Sequence, residues 1–365
     1  MNHHPILDYA PYDVAQKDKN APFMKHMKPA VSFHYKNCPE FKSICQSQGF
    51  SPNKTYTLED IPYIPVAMFK KFLFSSVPKS AIVKTLFSSS TSGTPSKIPL
   101  DNETINNQRN ALIKILSHFF NNQRLNFIIF DTEATVKSIA NELSSRGTAI
   151  RGMLPVAKKF SFILDKNLQL DFQKLEMVIA STNSQEPVCY FGFTWLLYTV
   201  FQQNKDKRQF LDFFKKLKNQ NNSVLHIGGW KKLTDIAVTK ELFNTQIAQS
   251  FSLLQNRIID VYGMTEQLGT IYPDCPYGYK HVPFYSDIII RNTNTLEPVG
   301  NNTIGFIQLV SPLPHSYPGI SILSDDLGKI MGTDSCPCGR KGKYFVFEKR
   351  SEAAELKGCG DTLNL

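Results

Sequence analysis

The stretch Asn126-Phe-Ile-Ile-Phe-Asp131 is a short apolar run that ends in an acidic residue, as a strand buried in a parallel sheet does. The elements predicted around it are a helix over 103–120, a helix over 132–146 ended by Gly147, a strand over 224–227, a helix over 234–250 and a strand over 257–262. This alternation predicts an α/β fold with a mostly parallel sheet flanked by helices.

The chain differs in composition on either side of this core. Before residue 84 it is rich in Pro, Phe and Lys, which indicates short helices and loops. After about residue 270 helices become scarce, and short β runs separated by Gly, Pro and Asn turns predict a small antiparallel β subdomain. The predicted domains are an N-terminal segment over 1–84, an α/β core over 85–270, a β-rich subdomain over 271–350 and a short tail over 351–365.

The composition indicates a soluble globular protein. The 365 residues are 42% hydrophobic and 20% charged, and no apolar run is long enough for a transmembrane helix. With no secretory signal, a cytoplasmic location is expected. The net charge of +10 favours anionic partners such as nucleotide phosphates or acyl carrier proteins, and without a base-reading motif nucleic acid is not expected. Seven cysteines without a disulfide spacing indicate reduced thiols.

A hydroxyl-rich segment, Ser88 to Lys97, follows a predicted strand and precedes the helix over 103–120. Small residues let backbone N–H groups converge on phosphate oxygens, and Ser and Thr hydroxyls donate further hydrogen bonds. The candidate phosphate-binding residues are Ser88, Ser89, Ser90, Thr91, Ser92, Gly93, Thr94 and Lys97. The alternative from composition alone is a flexible linker. A Walker loop is absent.

The order of residues in this segment resembles the S-S-G-T-T-G-x-P-K loop of the adenylate-forming superfamily, which includes acyl-CoA synthetases, peptide-synthetase adenylation domains and luciferases. Ser90 stands where the superfamily usually has Gly, and one extra residue separates Pro95 from Lys97. Further motifs follow in the same order. The resemblance implies the adenylate-forming fold, with ATP and Mg²⁺ as cofactors.

The segment Val261-Tyr-Gly-Met-Thr-Glu266 resembles the superfamily's Y-G-x-T-E motif. The resemblance implies that Tyr262, with Gly263, flanks the adenine, that Thr265 binds the α-phosphate or the substrate carboxylate, and that Glu266 holds Mg²⁺. A carboxylate is a hard oxygen ligand that suits this metal. Without the other motifs, a structural Tyr-Gly turn would be the simpler interpretation.

Two further segments resemble superfamily motifs. Gly228, Gly229 and Trp230 follow a predicted strand and resemble the glycine segment that covers the other adenine face, with a tight turn beside a buried Trp as the alternative. Ser324-Asp-Asp-Leu-Gly328 resembles T-G-D-L-G, which implies that Asp326 accepts hydrogen bonds from the ribose. Arg350 resembles the arginine of the G-R-x-D-D hinge, although Lys349 and Glu352 depart from that pattern.

The tail carries a candidate nucleophile. Cys359 lies between two glycines and close to Lys357, and a flexible thiol near a cation favours the reactive thiolate, with an idle cysteine as the alternative. Most superfamily members continue into a lid domain whose lysine assists adenylation, and we expect this lid to be absent. Whether Lys97, Lys231 or Lys232 takes over its role stays open.

The length, the tail cysteine and the segments Ile64-Pro-Val-Ala-Met-Phe-Lys70 and Lys97-Ile-Pro-Leu-Asp101 resemble the LuxE acyl-protein synthetase family over nearly the whole chain. The resemblance implies that the enzyme adenylates a long-chain fatty acid, takes the acyl group onto Cys359 and passes it to a partner reductase. The resemblance does not imply that the protein takes part in light production, since chains of this family also occur outside luminescence. The alternatives are an acyl-CoA or carrier-protein ligase of the same superfamily and a non-catalytic nucleotide-binding scaffold; an aryl or amino acid substrate also stays open.

A second constellation consists of Cys275, His281, Cys336 and Cys338. Three thiolates and one imidazole are a suitable tetrahedral set for structural zinc, and the pattern is similar to that of phenylacetate–CoA ligase-like relatives, some of which carry such a zinc. The alternative is reduced cysteines in turns beside a surface histidine. The aromatic run from Tyr190 to Trp195 predicts either an acyl pocket or core packing.

Overall fold

The computed structural model describes residues 3–88, 95–137, 145–230 and 237–351. These residues form two compact units. The first unit comprises the described residues within Met1–Ile115, Met264–Tyr272 and Tyr279–Leu365, and the second those within Leu116–Gly263 and Pro273–Gly278. The predicted domain boundaries stay a prediction of the sequence.

The helices and strands alternate through most of the described chain. The α-helices are α1 Gln16–Asn37, α2 Pro39–Ser47, α3 Met68–Lys71, α4 Asn102–Phe119, α5 Ser145–Met153, α6 Phe172–Ser181, α7 Thr194–Asn204, α8 Arg208–Lys216 and α9 Lys240–Phe251. The strands are β1 Ile64–Pro65, β2 Lys84–Phe87, β3 Lys97–Leu100, β4 Leu125–Phe130, β5 Ala157–Phe162, β6 Val188–Phe193, β7 Ser223–Ile227, β8 Ile258–Tyr262, β9 Tyr272–Pro273, β10 Lys280–His281, β11 Asp287–Arg291, β12 Gly305–Val310, β13 Ser321–Thr333 and β14 Lys343–Arg350. None of the described helices combines the length and apolar character needed to cross a membrane.

The second unit is built on a parallel sheet of order β5-β4-β6-β7-β8. Every residue of β4 and β6 is buried, as expected for strands that are covered by helices on both faces. Phe214 of α8 stacks on Phe251 of α9 with ring centroids 3.8 Å apart, and Tyr190 of β6 packs against Phe251. The predicted α/β fold is therefore confirmed, and Tyr190 and Phe191 belong to its core.

The first unit contains the antiparallel sheet β10-β14-β13-β12-β11, which the sequence predicted as a small β subdomain. Strand β13 is 13 residues long and pairs with β12 on one side and β14 on the other. Strand β13 was not predicted, because the polar residues from Ser324 to Asp326 interrupt its apolar pattern. Strand β1 adds a short parallel pairing to β13, and β2 and β3 form a separate antiparallel hairpin.

Two predictions of local structure were wrong. The chain before residue 84 contains α1, a helix of 22 residues that includes Pro22 and Pro29, where the sequence indicated short helices. The free energy gained by burying one helix face outweighs the destabilising effect of the two prolines; the buried residues of that face include Phe23, Met27, Val31 and His34. Gly147 does not end a helix but lies within α5, and residues 133–136 form a 3-10 turn instead, where Asp131 accepts hydrogen bonds from Thr132 and Thr135. Residues 138–144 lie outside the described chain.

Candidate active site

At one edge of the second unit's sheet, β7 and β8 end side by side. Ile227 pairs with Val261, which places Gly228 and Tyr262 next to each other at neighbouring carboxyl ends. Open parallel sheets bind ligands outside the carboxyl ends of their strands. Gly228 has φ +81°, a left-handed conformation that side chains disfavour, and both Gly228 and Gly229 are exposed. The backbone at this edge is therefore open to a flat ligand.

Aromatic side chains surround this edge. Trp230 packs edge-on against Tyr198 of α7, with ring centroids 5.1 Å apart, and lies 6.2 Å from Phe243 of α9. His226 Nδ1 lies 2.9 Å from the hydroxyl of Thr194. The structure thus places Gly228 and Tyr262, two of the predicted adenine residues, at neighbouring strand ends, and Trp230 is half-buried.

In the first unit, Thr265, Glu266 and Gln267 form a 3-10 turn that is held from two directions. The Tyr317 hydroxyl donates a hydrogen bond of 2.8 Å to the Glu266 carbonyl, and the Gln267 side-chain amide donates one of 3.1 Å to the Gly319 carbonyl. A Cβ atom at Gly269 would lie 2.4 Å from the Cα atom of Gln108, so only glycine lets this segment approach α4 so closely. Glu266 is therefore held by several independent contacts.

The Glu266 side chain is buried, with 6% of its surface exposed. Burial raises the pKa of its carboxyl group, while the nearby Ser96 hydroxyl and the positive charges of Arg350 and Lys70 act in the opposite direction. A buried carboxylate is costly unless a cation or several donors compensate for its lost hydration. The Glu266 environment therefore fits a group that binds a metal ion, and Glu266 is the candidate Mg²⁺ ligand.

The hydroxyl-rich loop starts and ends at hydrogen-bonded positions in the first unit. The Ser88 hydroxyl accepts a hydrogen bond of 2.9 Å from the Ser96 N–H, and the Ser88 N–H donates one of 3.1 Å to the Ser96 carbonyl. Phe87 and Lys97 are the adjacent pair of the β2–β3 hairpin. The loop therefore connects two paired strands, in contrast to a linker between domains. The predicted residues Ser89, Ser90, Thr91, Ser92, Gly93 and Thr94 lie outside the described chain.

The predicted ribose and hinge residues are direct partners in the first unit, because Asp326 of β13 pairs with Arg350 of β14. The Asp326 N–H donates to the Ser324 hydroxyl, which donates to the Ile307 carbonyl at 2.7 Å. Asp325, which stands where the superfamily has Gly, lies 3.6 Å from the Arg350 guanidinium. This departure from the motif thus forms an ion pair with the predicted hinge arginine.

Three of the four predicted zinc ligands lie together in the first unit. The ligand atoms of His281, Cys336 and Cys338 lie within 4.8 Å of one another, and His281 Nε2 is 3.2 Å from Cys338 Sγ. Burial alone raises the pKa of the Cys338 thiol, but hydrogen bonds from the Arg340 backbone and from Cys336 hold its net pKa below the usual value. Cys275 is also buried, in the short segment that is grouped with the second unit.

Some predicted residues lie outside the described chain, and two residues near Glu266 were not predicted. Cys359 lies outside the described chain, as do Lys231 and Lys232. Tyr317 and Ser96 were not predicted as site residues, because they lie far from Glu266 in the chain and the fold places them near it. Ser96 could have been predicted, since it lies inside the hydroxyl-rich segment. No pattern in the sequence indicated a role for Tyr317.

The chain is similar to known proteins over most of its length. A family model described as "Acyl-protein synthetase, LuxE" matches residues 2–365. The chain is 24% identical to the long-chain-fatty-acid–luciferin-component ligase of Aliivibrio fischeri over 346 residues, 92% of this chain and 86% of the relative. It is 21% identical to the Vibrio harveyi protein of the same name over 344 residues, 91% of this chain and 85% of the relative.

Solved structures share the fold. The crystal structure of an open conformation of 2-hydroxyisobutyryl-CoA ligase, in complex with 2-HIB-AMP and CoA, has a TM-score of 0.71 to this chain. The match covers 96% of this chain and 80% of that chain at 13% sequence identity. A second structure of that ligase, in the thioesterification state, has a TM-score of 0.70 over 94% of this chain and 71% of its own. These similarities establish an adenylate-forming ligase fold.

Proposed function

The chain belongs to the LuxE acyl-protein synthetase family, and from this premise we propose that it activates a carboxylic acid with ATP and transfers the acyl group to a thiol. The observation that carries the proposal is the buried carboxyl of Glu266, which lies in a turn held by the Tyr317 hydrogen bond and on which the positive charges of Arg350 and Lys70 act. In the first step a carboxylate oxygen attacks the α-phosphorus of ATP. The bond from that phosphorus to the bridging oxygen breaks, and pyrophosphate leaves with the electron pair.

The residues of the first unit act on the phosphates and the sugar in this proposal. Glu266 is the ligand for Mg²⁺, which supplies charge neutralisation to the triphosphate when bound. Thr265 contacts the α-phosphate or the substrate carboxylate, and Asp326 accepts hydrogen bonds from the ribose. The loop from Ser88 to Thr94, with Lys97, holds phosphate oxygens through N–H and hydroxyl groups. The positive charges of Arg350 and Lys70 both act on the Glu266 carboxyl group.

The residues of the second unit act on the adenine in this proposal. Gly228 and Gly229 present exposed backbone on one face of the base, while Trp230 borders it. Tyr262 and Gly263 flank the other face. The placement of Gly228 and Tyr262 at neighbouring strand ends supports this assignment.

In the second step a thiolate attacks the carbonyl carbon of the acyl-adenylate. A thioester forms, the bond between the carbonyl carbon and the phosphate oxygen breaks, and AMP leaves with that electron pair. We propose Cys359 as this thiol, and a partner acyl reductase as the final acceptor. The names of the relatives from Aliivibrio fischeri and Vibrio harveyi favour a long-chain fatty acid as the substrate.

Two measurements test this function. The first is carboxylate-dependent exchange of labelled pyrophosphate into ATP, which we expect from the wild type and not from Glu266→Ala. Glu241→Ala, at an exposed carboxyl in the first turn of α9, is the matched control and retains full exchange. Absence of exchange in the wild type with any of a panel of fatty, aryl and amino acids would leave the nucleotide-binding scaffold as the function.

The second measurement follows the acyl group. Incubation with ATP and labelled fatty acid is expected to give a protein-bound label that survives denaturation, is released by hydroxylamine and is lost in Cys359→Ser. Cys38→Ser, at a buried thiol in the first unit, is the control and retains the label. Strict dependence of thioester formation on added CoA would instead identify an acyl-CoA ligase of the same fold.

We further propose that Cys275, His281, Cys336 and Cys338 bind one structural zinc ion. Both cysteine segments have the order Cys-Pro-x-Gly, with the glycine N–H donating to the cysteine carbonyl at 2.8 Å for Gly278 and 3.0 Å for Gly339. Both glycines have positive φ angles, of 77° and 84°. Two such turns are suited to present thiolates to one tetrahedral ion.

The zinc proposal predicts one equivalent of zinc in the purified protein by elemental analysis. Cys338→Ser is expected to lower the zinc content and the thermal unfolding temperature together, whereas Cys189→Ser, at a buried thiol of β6, leaves the zinc content unchanged. Metal-free protein with the same unfolding temperature as protein given zinc would contradict the proposal.

A further inference from the structure

Lys70 lies in a short segment of the first unit that contacts the strands β3 and β13. Strand β1 pairs with β13 at Ile322 and Leu323, and the Val66 N–H donates to the Leu323 carbonyl at 2.9 Å. These contacts lie immediately before the segment of β13 that holds Asp326. Helix α3 follows at once and packs against β3, the strand that begins at Lys97. The third residue of α3 is Lys70.

The residue before Lys70 fixes the position of α3 relative to Glu266. Phe69 is buried, with 1% of its surface exposed, and its ring meets that of Tyr317 edge-on at 6.2 Å. The Tyr317 hydroxyl donates to the Glu266 carbonyl. One aromatic contact and one hydrogen bond therefore connect the backbone beside Lys70 to the backbone of Glu266, while the Lys70 side chain itself is exposed.

The electrostatics agree with this placement. The positive charge of Lys70 acts on the buried Glu266 carboxyl, as that of Arg350 does. A lysine ammonium is a compact charge that binds phosphate oxygens, and phosphoryl and nucleotidyl transfer are catalysed mainly by positioning and charge stabilisation. Of the three lysines that sequence analysis considered for this role, Lys97 is described and is exposed on β3, and Lys231 and Lys232 lie outside the described chain.

We propose that Lys70 is a catalytic residue of the adenylation step, whose ammonium binds phosphate oxygens of ATP beside Glu266 and stabilises the charge that develops as pyrophosphate leaves. The inference rests on the proposed function and adds a residue to it. Lys70 takes no part in the later transfer of the acyl group from the adenylate to the thiol, because the phosphate chain that it binds has by then departed.

Lys70→Gln tests this role, because glutamine is a polar side chain only one atom shorter than lysine, so at this exposed position it mainly removes the charge. Lys71→Gln is the matched control, one residue further along α3 and also exposed. Two rates are measured in each variant: exchange of pyrophosphate into ATP, and acylation of the protein by chemically synthesised acyl-adenylate. For Lys70→Gln we expect about a 100-fold lower kcat for exchange, as for other lost charge-stabilising donors, and acylation within about twofold of wild type.

Other results would overturn the inference. An unchanged exchange rate in Lys70→Gln would mean that Lys70 has no role in adenylation. Equal losses of exchange and acylation, in Lys70→Gln and in Lys71→Gln alike, would mean that its role is only structural. Lys70→Arg keeps the charge and is expected to recover at least tenfold of the loss, and failure to recover it would contradict a role for the charge. A wild-type protein without exchange would refute the proposed function itself, and the inference with it.

Discussion

The Tyr317 hydroxyl donates a 2.8 Å hydrogen bond to the backbone carbonyl of Glu266, although 51 positions separate the two residues in the chain. Tyr317 is fully buried, and its hydroxyl also accepts a hydrogen bond of 3.3 Å from the Gln108 side chain. The residue that we propose to hold the metal ion is therefore positioned by a side chain that touches neither metal nor substrate in the proposed mechanism. Orientation by such supporting groups is typical of metal sites.

The first prediction concerns this hydrogen bond. Tyr317→Phe removes the hydroxyl and leaves the Glu266 carbonyl and the Gln108 amide without their partner, which costs about 1–3 kcal/mol of the free energy of unfolding. We expect a matching loss in urea denaturation and a lower kcat for pyrophosphate exchange. Tyr277→Phe, at an exposed tyrosine, is the control. Full activity in Tyr317→Phe would show that the bond does not position Glu266.

The second prediction separates the stability of the Glu266 site from its activity. Because burial raises the pKa of Glu266, the folded protein binds more protons than the unfolded chain between pH 4.5 and the folded pKa. Its stability therefore falls as the pH rises through that window. Glu266→Gln has no carboxyl group to titrate at this position, so its stability relative to wild type should increase as the pH rises. The same variant should lose pyrophosphate exchange. Denaturant midpoints from pH 4 to 8 check the sign, and a gain toward acid pH would contradict it.

The third prediction concerns acid unfolding. His34 is 1% exposed, with Nδ1 2.7 Å from the Ser76 hydroxyl and Nε2 3.1 Å from the Pro314 carbonyl, so the neutral ring satisfies both groups. Burial lowers the pKa of His34 to about 3, so between pH 6.5 and 3 the unfolded chain binds the proton more strongly. Stability is then lost as the pH falls, by about 1.4 kcal/mol per pH unit from this group.

The test of His34 compares the pH dependence of unfolding in two variants. His34→Gln should be less stable than wild type at pH 7 and should lose less stability between pH 6.5 and 4. His3→Gln, at a partly exposed histidine, should follow the wild-type curve. Parallel curves for wild type and His34→Gln would assign the acid sensitivity to other groups.

The fourth prediction concerns the contact that anchors α1 in the first unit. The fully buried Lys19 ammonium donates to the carbonyls of Pro283 and Ser286 and lies 3.7 Å from the Asp287 carboxylate. Lys19→Met removes one partner of a buried charge pair and should cost about 3 kcal/mol, although Lys343 still contacts Asp287 at 2.8 Å.

The matched control for Lys19 is Lys17→Met, two positions earlier on the exposed side of the same helix, with an expected change below about 0.5 kcal/mol. Urea denaturation of both variants checks the prediction. Equal effects would mean that helix propensity, rather than the buried charge, explains the loss.

Several elements of the fold could be predicted because their evidence is local. The apolar run at 126–131 and the helical spacing over 103–120 correspond to β4 and α4 within one or two residues. The N-terminal helix α1 could not be predicted, since Pro22 and Pro29 lie inside it and the packing that stabilises it comes from distant segments. Strand β13 was missed for a related reason, because its polar centre is paired on both sides and does not need an apolar pattern.

The sequence by itself determined the family and the order of the motifs, from the hydroxyl-rich loop through Glu266 to Asp326, because a motif is a local arrangement of residue types along the chain. Only the tertiary structure decided the surroundings of those motifs. Tyr317 on the Glu266 carbonyl, the charge of Lys70 near its carboxyl and the pairing of Asp325 with Arg350 all join residues that are distant in the chain. Burial and Coulomb interactions depend on distance in space, which no spacing in the sequence records.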